Sequence, residues 1–273
     1  MKAFIASVKE IFLNTITNSI WNKEKTLKIP LYQREYEWDA SNVDELILDI
    51  LNRDKFLGMI ILDEKEDCYE IADGQQRLTT ILLSWISIYN HYYGAIKEQY
   101  VLKGYIFDKE MNIRLQNDSV GTYISADKSG LLKIDIKNDK DVYNQQDAFK
   151  TAYSRIDMIL AENDRFREFK DKLQKCTLLV LIKDMESINS DAVEQIFLDI
   201  NEKSKRLDNA SIFKGYCFKI YDESFQDDLK CLWIRLKKAY ISFKRFSGKN
   251  YRFDEYIYCL LYTSPSPRDR SVS

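Results

Sequence analysis

The chain has 273 residues, 45% of them hydrophobic and 13% aromatic, enough apolar material for one large domain or two small ones with real cores. Its 41 basic and 43 acidic residues leave a net charge of −2. That excludes a whole-chain field holding the protein on nucleic acid or an anionic membrane, so any basic binding surface must be local. The longest apolar runs, such as Ile81–Leu83 and Leu178–Ile182, fall far short of the roughly 20 residues of a spanning helix. Lys9, Glu10 and Asn14 interrupt the N-terminal segment before the ~7–15-residue apolar core of a signal peptide develops. The expected location is the cytoplasm.

The five cysteines are scattered and only one histidine occurs, which argues against a thiolate zinc site and a disulfide framework and leaves free, packed thiols.

In chain order, Phe4, Val8, Ile11, Phe12 and Ile16 stand at helical spacing and predict an amphipathic helix over residues 3–20. Leu27 to Trp38 reads as a short strand entering a structured loop, because Pro30 discourages helix. Ser41 with Asp44 resembles a capping box ahead of the stripe Val43, Leu46, Ile47, Ile50 and Leu51. Phe56–Leu62 and Tyr69–Ala72 predict a hairpin linked by the charged run Asp63–Asp67. From Leu78 to Tyr92 the apolar residues fall three or four apart, giving a helix with one buried face.

Residues 105–145 read as mixed, with short candidate strands. Phe149, Tyr153, Ile156, Ile159 and Leu160 predict one helix from Gln146 to about Lys175. Leu178–Ile182 is continuously apolar and fits a strand buried on both faces that rejoins the N-terminal sheet. Residues 192–198, 212–220 and the remainder to Tyr258 read as helical. The fold class expected is α+β, with a small mixed sheet in the N-terminal half and a mainly helical half after it.

Residues 259–269, Cys-Leu-Leu-Tyr-Thr-Ser-Pro-Ser-Pro-Arg-Asp, resemble the translation of a transposase sequencing adapter. The expectation is a natural reading frame cut near Tyr258. The alternative is a natural disordered Ser/Pro/Arg terminus. No function is read from residues 259–273.

The run Ile71-Ala-Asp-Gly-Gln-Gln-Arg-Leu-Thr-Thr80 joins the second hairpin strand to the helix that follows. A helix beginning just after a glycine presents unsatisfied N–H groups and a partial positive charge, a ready anion site. Arg77 adds a forked cation suited to phosphate, where the dipole would favour an acid. Asp73 is placed to hold a divalent cation or orient a water, and Gln75 and Gln76 to bond ribose, phosphate or base. The plainer alternative is an ordinary tight turn with surface amides and Arg77 paired to Asp73. Tyr32, Tyr36 and Trp38 either stack a base or belong to the core. The basic cluster Lys203, Lys205, Arg206 reads as a DNA-phosphate contact or, more plainly, a solvated loop.

Ile29-Pro-Leu-Tyr-Gln-Arg-Glu-Tyr-Glu-Trp38 and Asp73-Gly-Gln-Gln-Arg-Leu-Thr-Thr80, with Ile196–Asn201 and Arg206–Lys214, resemble the N-terminal domain of GmrSD-type restriction endonucleases over roughly residues 26–221. That family is similar to the ParB and sulfiredoxin group. The resemblance implies a ParB-like nucleotide-binding core over 1–104, a mixed and helical continuation over 105–221 and a helical segment over 222–258. It implies a nucleoside triphosphate, GTP or another, with Mg2+, hydrolysed to regulate a C-terminal nuclease of the His-Asn-His type that cuts phage DNA. Carried over by residue, Gln33, Arg34, Tyr36, Gly74, Gln75, Gln76, Arg77 and Asn201 are nucleotide contacts, Asp73 and Arg77 catalytic, and Asp73 the metal ligand. Expected partners are nucleotide, modified DNA through the full-length protein, and a further copy of the chain, without a membrane.

The sole histidine, His91, cannot supply His-Asn-His chemistry and is read as a helix-surface or packing residue. The alternative function is a ParB-like DNA-binding module that uses nucleotide as a clamp without turnover.

Overall fold

The computed structural model describes residues 2–52, 56–121, 123–135, 143–183 and 226–247, with Phe253 and Tyr256. The chain divides into two compact units, Met1–Pro30 with Arg34–Asn189, and Leu31–Gln33 with Ser190–Ser273.

The first unit is α+β. It opens with strand β1 (Lys2–Ser7) and helix α1 (Val8–Leu13) in place of the single helix expected over 3–20. Ser7 sets the boundary through a capping box. Its Oγ accepts the Glu10 N–H at 3.1 Å, and the Glu10 carboxylate accepts the Ser7 N–H at 2.8 Å. The helix stops at Asn14, whose left-handed backbone (φ 55) suits an asparagine. Residues 2–7 stay extended because β8 (Thr177–Lys183) pairs with them antiparallel, from Lys2 opposite Ile182 to Ser7 opposite Thr177.

Strand β2 (Thr26–Ile29) leads into the predicted loop, and helix α2 (Ala40–Asn52) follows. Asp39, not Ser41, caps α2: its Oδ1 accepts the N–H groups of Ser41 and Asn42 at 3.0 and 3.1 Å. Asp44 is thereby released to meet Arg155 through two bonds of 2.5 Å. The hairpin is present as β3 (Phe56–Glu64) and β4 (Cys68–Asp73), antiparallel.

Helices α3 (Gln75–His91) and α4 (Ile96–Ile106) and short strands β5 (Leu115–Asn117), β6 (Ile124–Ala126) and β7 (Leu132–Ile134) come next. Helix α5 (Tyr143–Ala161) and helix α6 (Phe166–Lys175) replace the one helix expected from Gln146. Asn163 and Asp164, both at positive φ, turn the chain between them.

The sheet order is β1-β8-β3-β4-β2-β5, and β6 and β7 form a separate hairpin. As expected, β8 is internal, antiparallel to β1 and parallel to β3. Its Leu178, Val180 and Ile182 are fully buried, each contributing about 1.5–3 kcal/mol. Because β5 and β8 join strands β1 to β4, this unit continues across residue 104.

Helix α3 is the core helix. From Gln75 to Ile88 every residue except Arg77 is buried, so it is enclosed on all sides and not along one face alone. Trp85 stacks on Tyr105 with centroids 4.0 Å apart.

In the second unit, helix α7 (Gln226–Ser247) lies against helical residues Phe253 and Tyr256 through Trp233, Tyr240 and Phe243. The helices expected at 192–198 and 212–220, the cluster Lys203, Lys205, Arg206, and residues 259–273 lie outside the described residues. Among those described, no helix is long and apolar enough to cross a membrane.

Candidate functional site

Two irregularities in the sheet shape the strand-to-helix turn. Ile61 faces Asp73 while Leu62 faces Ile71, so Ala72 is an extra residue in β4, a bulge that re-aims the strand end. A second extra residue sits in β3 between Phe56 and Met59, where Gly58 adopts φ +95. Gly74 then ends β4 at φ +93, and a Cβ there would lie 2.6 Å from Ile60 Cγ2. Both the backbone angle and the close approach of β3 require glycine.

Gly74 offers α3 no side-chain cap, and the first turn holds no acid. The N–H groups that open the helix therefore carry its positive end without a carboxylate to answer it.

The two glutamines do not face outward. Both are about 95% buried. Gln75 Nε2 donates to the Arg34 carbonyl at 3.0 Å, and Gln76 Nε2 donates to the Glu35 carbonyl at 2.8 Å. Gln76 Oε1 accepts the Glu37 N–H at 2.9 Å. These bonds hold the 34–37 loop on the first turn of α3. The Gln76 side chain donates and accepts within the loop backbone.

Tyr36 sits beneath the same loop. It is 6% exposed, its hydroxyl shares a 2.8 Å hydrogen bond with Thr80 Oγ1, and its ring packs on Phe149. Burial pushes its phenol well above the ordinary value. It anchors the loop and offers no free face to a base. Trp38 is partly buried against the core.

Arg77, the one α3 residue short of full burial in this stretch, turns back onto β3. Its Nη1 donates to the Met59 carbonyl at 2.9 Å. The guanidinium lies flat over Gly58, with Cζ, Nη1 and Nη2 each 3.3 Å from where a Cβ would be. Burial lowers its pKa from the ordinary arginine value, while the charge of Asp73 opposes that fall. The pairing with Asp73 that the plainer alternative expected is one of charge, with the directional bond going to Met59. The fork keeps further donors on Nε and Nη2. Arg34, held by its backbone beside the same turn, has its side chain 3.9 Å from the Glu37 carboxylate, a distance too long for a firm ion pair.

The turn thus gathers Arg34, Asp73, Gly74, Gln75, Gln76 and Arg77. Gln33 falls in the second unit, and Asn201 outside the described residues. Glu35, Glu37 and Met59, which supply the backbone partners, carry no signal in the sequence. Gly58 does, as a lone glycine in a strand pattern, a mark of a bulge or close approach.

Asp73 is an oxygen donor of the kind Mg2+ takes when substrate phosphates complete its shell. No group of three metal-capable side chains forms among the described residues. Two cavities of about 460 and 580 Å3 flank α5, and none of the turn residues lines them. His91 closes α3 as a packing residue. Its ring stacks on Phe166 at 3.9 Å, and its Nε2 lies 3.6 Å from Asp164.

Fold and turn together define an α+β domain organised around a strand–glycine–helix junction. Over residues 13–218 the sequence matches the family described as GmrSD restriction endonuclease, N-terminal domain. The chain belongs to that family and carries a domain of a restriction-system defence protein. No curated protein matches it.

Proposed function

We propose that this domain binds a nucleoside triphosphate with Mg2+ at the N-terminus of α3 and hydrolyses it, regulating the DNA-cutting activity of a restriction protein. The observation that supports this reading is the clamp between the two motifs: the Gln75 and Gln76 amides hold the Arg34–Glu37 backbone on the acid-free first turn that also carries Arg77. Two guanidinium-bearing residues and a positive helix end in one locality match the charge of a polyphosphate.

In this reading Arg34 and the outer donors of Arg77 bind the phosphates, and the Gly74–Arg77 backbone N–H groups donate to their oxygens. Asp73 would hold the metal ion, which when bound neutralises phosphate charge and polarises the transferred group. Burial of Arg77 strengthens its pull on charge that builds during transfer.

The test is phosphate release from each of the four nucleoside triphosphates with magnesium. Turnover by the chain that falls at least ~100-fold in Arg77→Ala, as expected for loss of a transition-state donor, supports the proposal. Nucleotide retained without phosphate release would instead favour the ParB-type clamp, and neither retention nor release would end both.

A further inference from the structure

The six-stranded sheet ends on β1 at one side and β5 at the other, and the two edges are built differently. Strand β5 spans only Leu115–Asn117, and extreme shortness is one way an edge is protected from pairing. Strand β1 spans Lys2–Ser7 in an unshifted ladder with β8. It holds no proline and no bulge, and its one charged side chain, Lys2, stands at the strand's first position. Nothing that blunts an edge interrupts its middle, where Ile5 is 67% exposed.

The ladder fixes which backbone groups of β1 remain. The Val8 N–H donates to the Cys176 carbonyl at 2.7 Å, one step beyond the pair Ser7 and Thr177. Bonded and non-bonded pairs alternate along an antiparallel ladder. Lys2, Phe4 and Ala6 therefore exchange bonds with β8, while Ala3, Ile5 and Ser7 aim their N–H and C=O groups away from it. The Ser7 N–H agrees with this phase, because the Glu10 carboxylate takes it at 2.8 Å. Ala3 and Ile5 are exposed, and among the described residues their outward groups meet no partner.

We infer that β1 pairs antiparallel with β1 of a second copy of the chain, about a twofold axis at Phe4, joining two sheets edge to edge. This register sets Ala3 opposite Ile5 of the partner subunit, and Ile5 opposite the partner subunit's Ala3. The one N–H and one C=O left outward at each of these residues, in both copies, then close four ladder bonds. An axis at Ile5 would set Ala3 opposite Ser7 and lose a bond at each end, because the cap already holds the Ser7 N–H. Side chains favour the same register. The exposed Ile5 lies beside a small alanine, and Phe4 meets its own copy across the non-bonded pair, where side chains stand closest. Lys2 falls opposite Ala6, so no like charges face each other, and a net charge of −2 repels a second copy weakly. A strand of another protein would find the same outward groups; the match of large to small about the axis favours a copy.

This inference is independent of the nucleotide proposal, and its test contains neither nucleotide nor Mg2+. Sedimentation velocity of the whole chain is followed between about 1 and 500 μM, a span that covers weak interfaces of small area. The unaltered chain should approach twice its own mass as concentration rises. Ala3→Pro removes an outward N–H without touching a bond to β8, and Ile5→Lys places a charge on the edge. Two bonds are lost per dimer in the first, so its dissociation constant should rise at least ~10-fold, and the second should do the same while the circular dichroism of both stays that of the parent. Register is read by oxidation: Ala3→Cys/Ile5→Cys should form a disulfide-linked dimer above the level of the chain's own cysteines, since bonded pairs bring Cα atoms to about 5.5 Å, and neither single variant should. A chain that stays monomeric throughout, self-association that both edge variants leave unchanged, or cross-linking by Ile5→Cys alone would overturn the inference.

Discussion

The Gln76 side chain accepts the Glu37 N–H at 2.9 Å while its own amide donates to the Glu35 carbonyl at 2.8 Å. One buried carboxamide thus pairs with the loop backbone much as a neighbouring strand would, and ties a segment 39 residues earlier to the first turn of α3. Gln76→Ala removes both partners and leaves a backbone donor and acceptor unpaired, at about 1–3 kcal/mol. A melting temperature lower by several degrees is expected in thermal unfolding followed by circular dichroism, since about 1 kcal/mol moves a domain of this size by 2–4 °C. An unchanged melting curve would show that the clamp is not formed in solution.

Gly58 and Gly74 stand on either side of the turn, both at positive φ. Gly74→Ala adds a Cβ 2.6 Å from Ile60 Cγ2, beside the cost of the backbone angle, and should destabilise by about 2 kcal/mol or more. Gly58→Ala meets the Arg77 guanidinium at 3.3 Å and should cost less. The order of the two midpoints in urea unfolding checks this: Gly74→Ala lower than Gly58→Ala, and both below the unaltered chain.

Arg77 is a charged group held mostly away from water, with its pKa lowered by that burial. A buried charge of this kind adds little net stability. Arg77→Met keeps the length and apolar stem, losing one bond to Met59, so its melting temperature should stay within about 4 °C of the parent. Stabilisation by added triphosphate should nonetheless disappear. Differential scanning calorimetry with and without nucleotide separates the two effects, and a variant still stabilised by nucleotide would remove Arg77 from the site.

Tyr36 supports the loop from beneath. Tyr36→Phe removes only the bond to Thr80 Oγ1 and should cost about 0.5–1.5 kcal/mol without altering nucleotide affinity. A large fall in affinity with no fall in stability would instead favour a direct contact between Tyr36 and the nucleotide.

Patterns with local causes were legible in the sequence. The β3–β4 hairpin follows from aliphatic runs around a charged link, and β8 from an unbroken apolar stretch that only an internal strand could bury. The strand-to-helix turn followed from Gly74. What escaped was set by distant partners. Phe4 and Ala6 read as helix until β8 supplies a ladder for residues 2–7. The amides of Gln75 and Gln76 read as ligand contacts because nothing in the sequence says that the 34–37 backbone arrives to satisfy them. Cap choice was a local competition that Asp39 won over Ser41, its carboxylate reaching two helix amides at once. Two left-handed residues, Asn163 and Asp164, were enough to divide α5 from α6 within an otherwise helical pattern.

The most direct test of the central claim is the 1H–15N spectrum of the labelled chain titrated with a non-hydrolysable triphosphate and Mg2+. The account predicts saturable shifts of the backbone amides of Gly74, Gln75, Gln76 and Arg77 and of the Arg34 and Arg77 side chains, lost in Arg77→Ala. Shifts confined to other regions, or none at millimolar nucleotide, would contradict it.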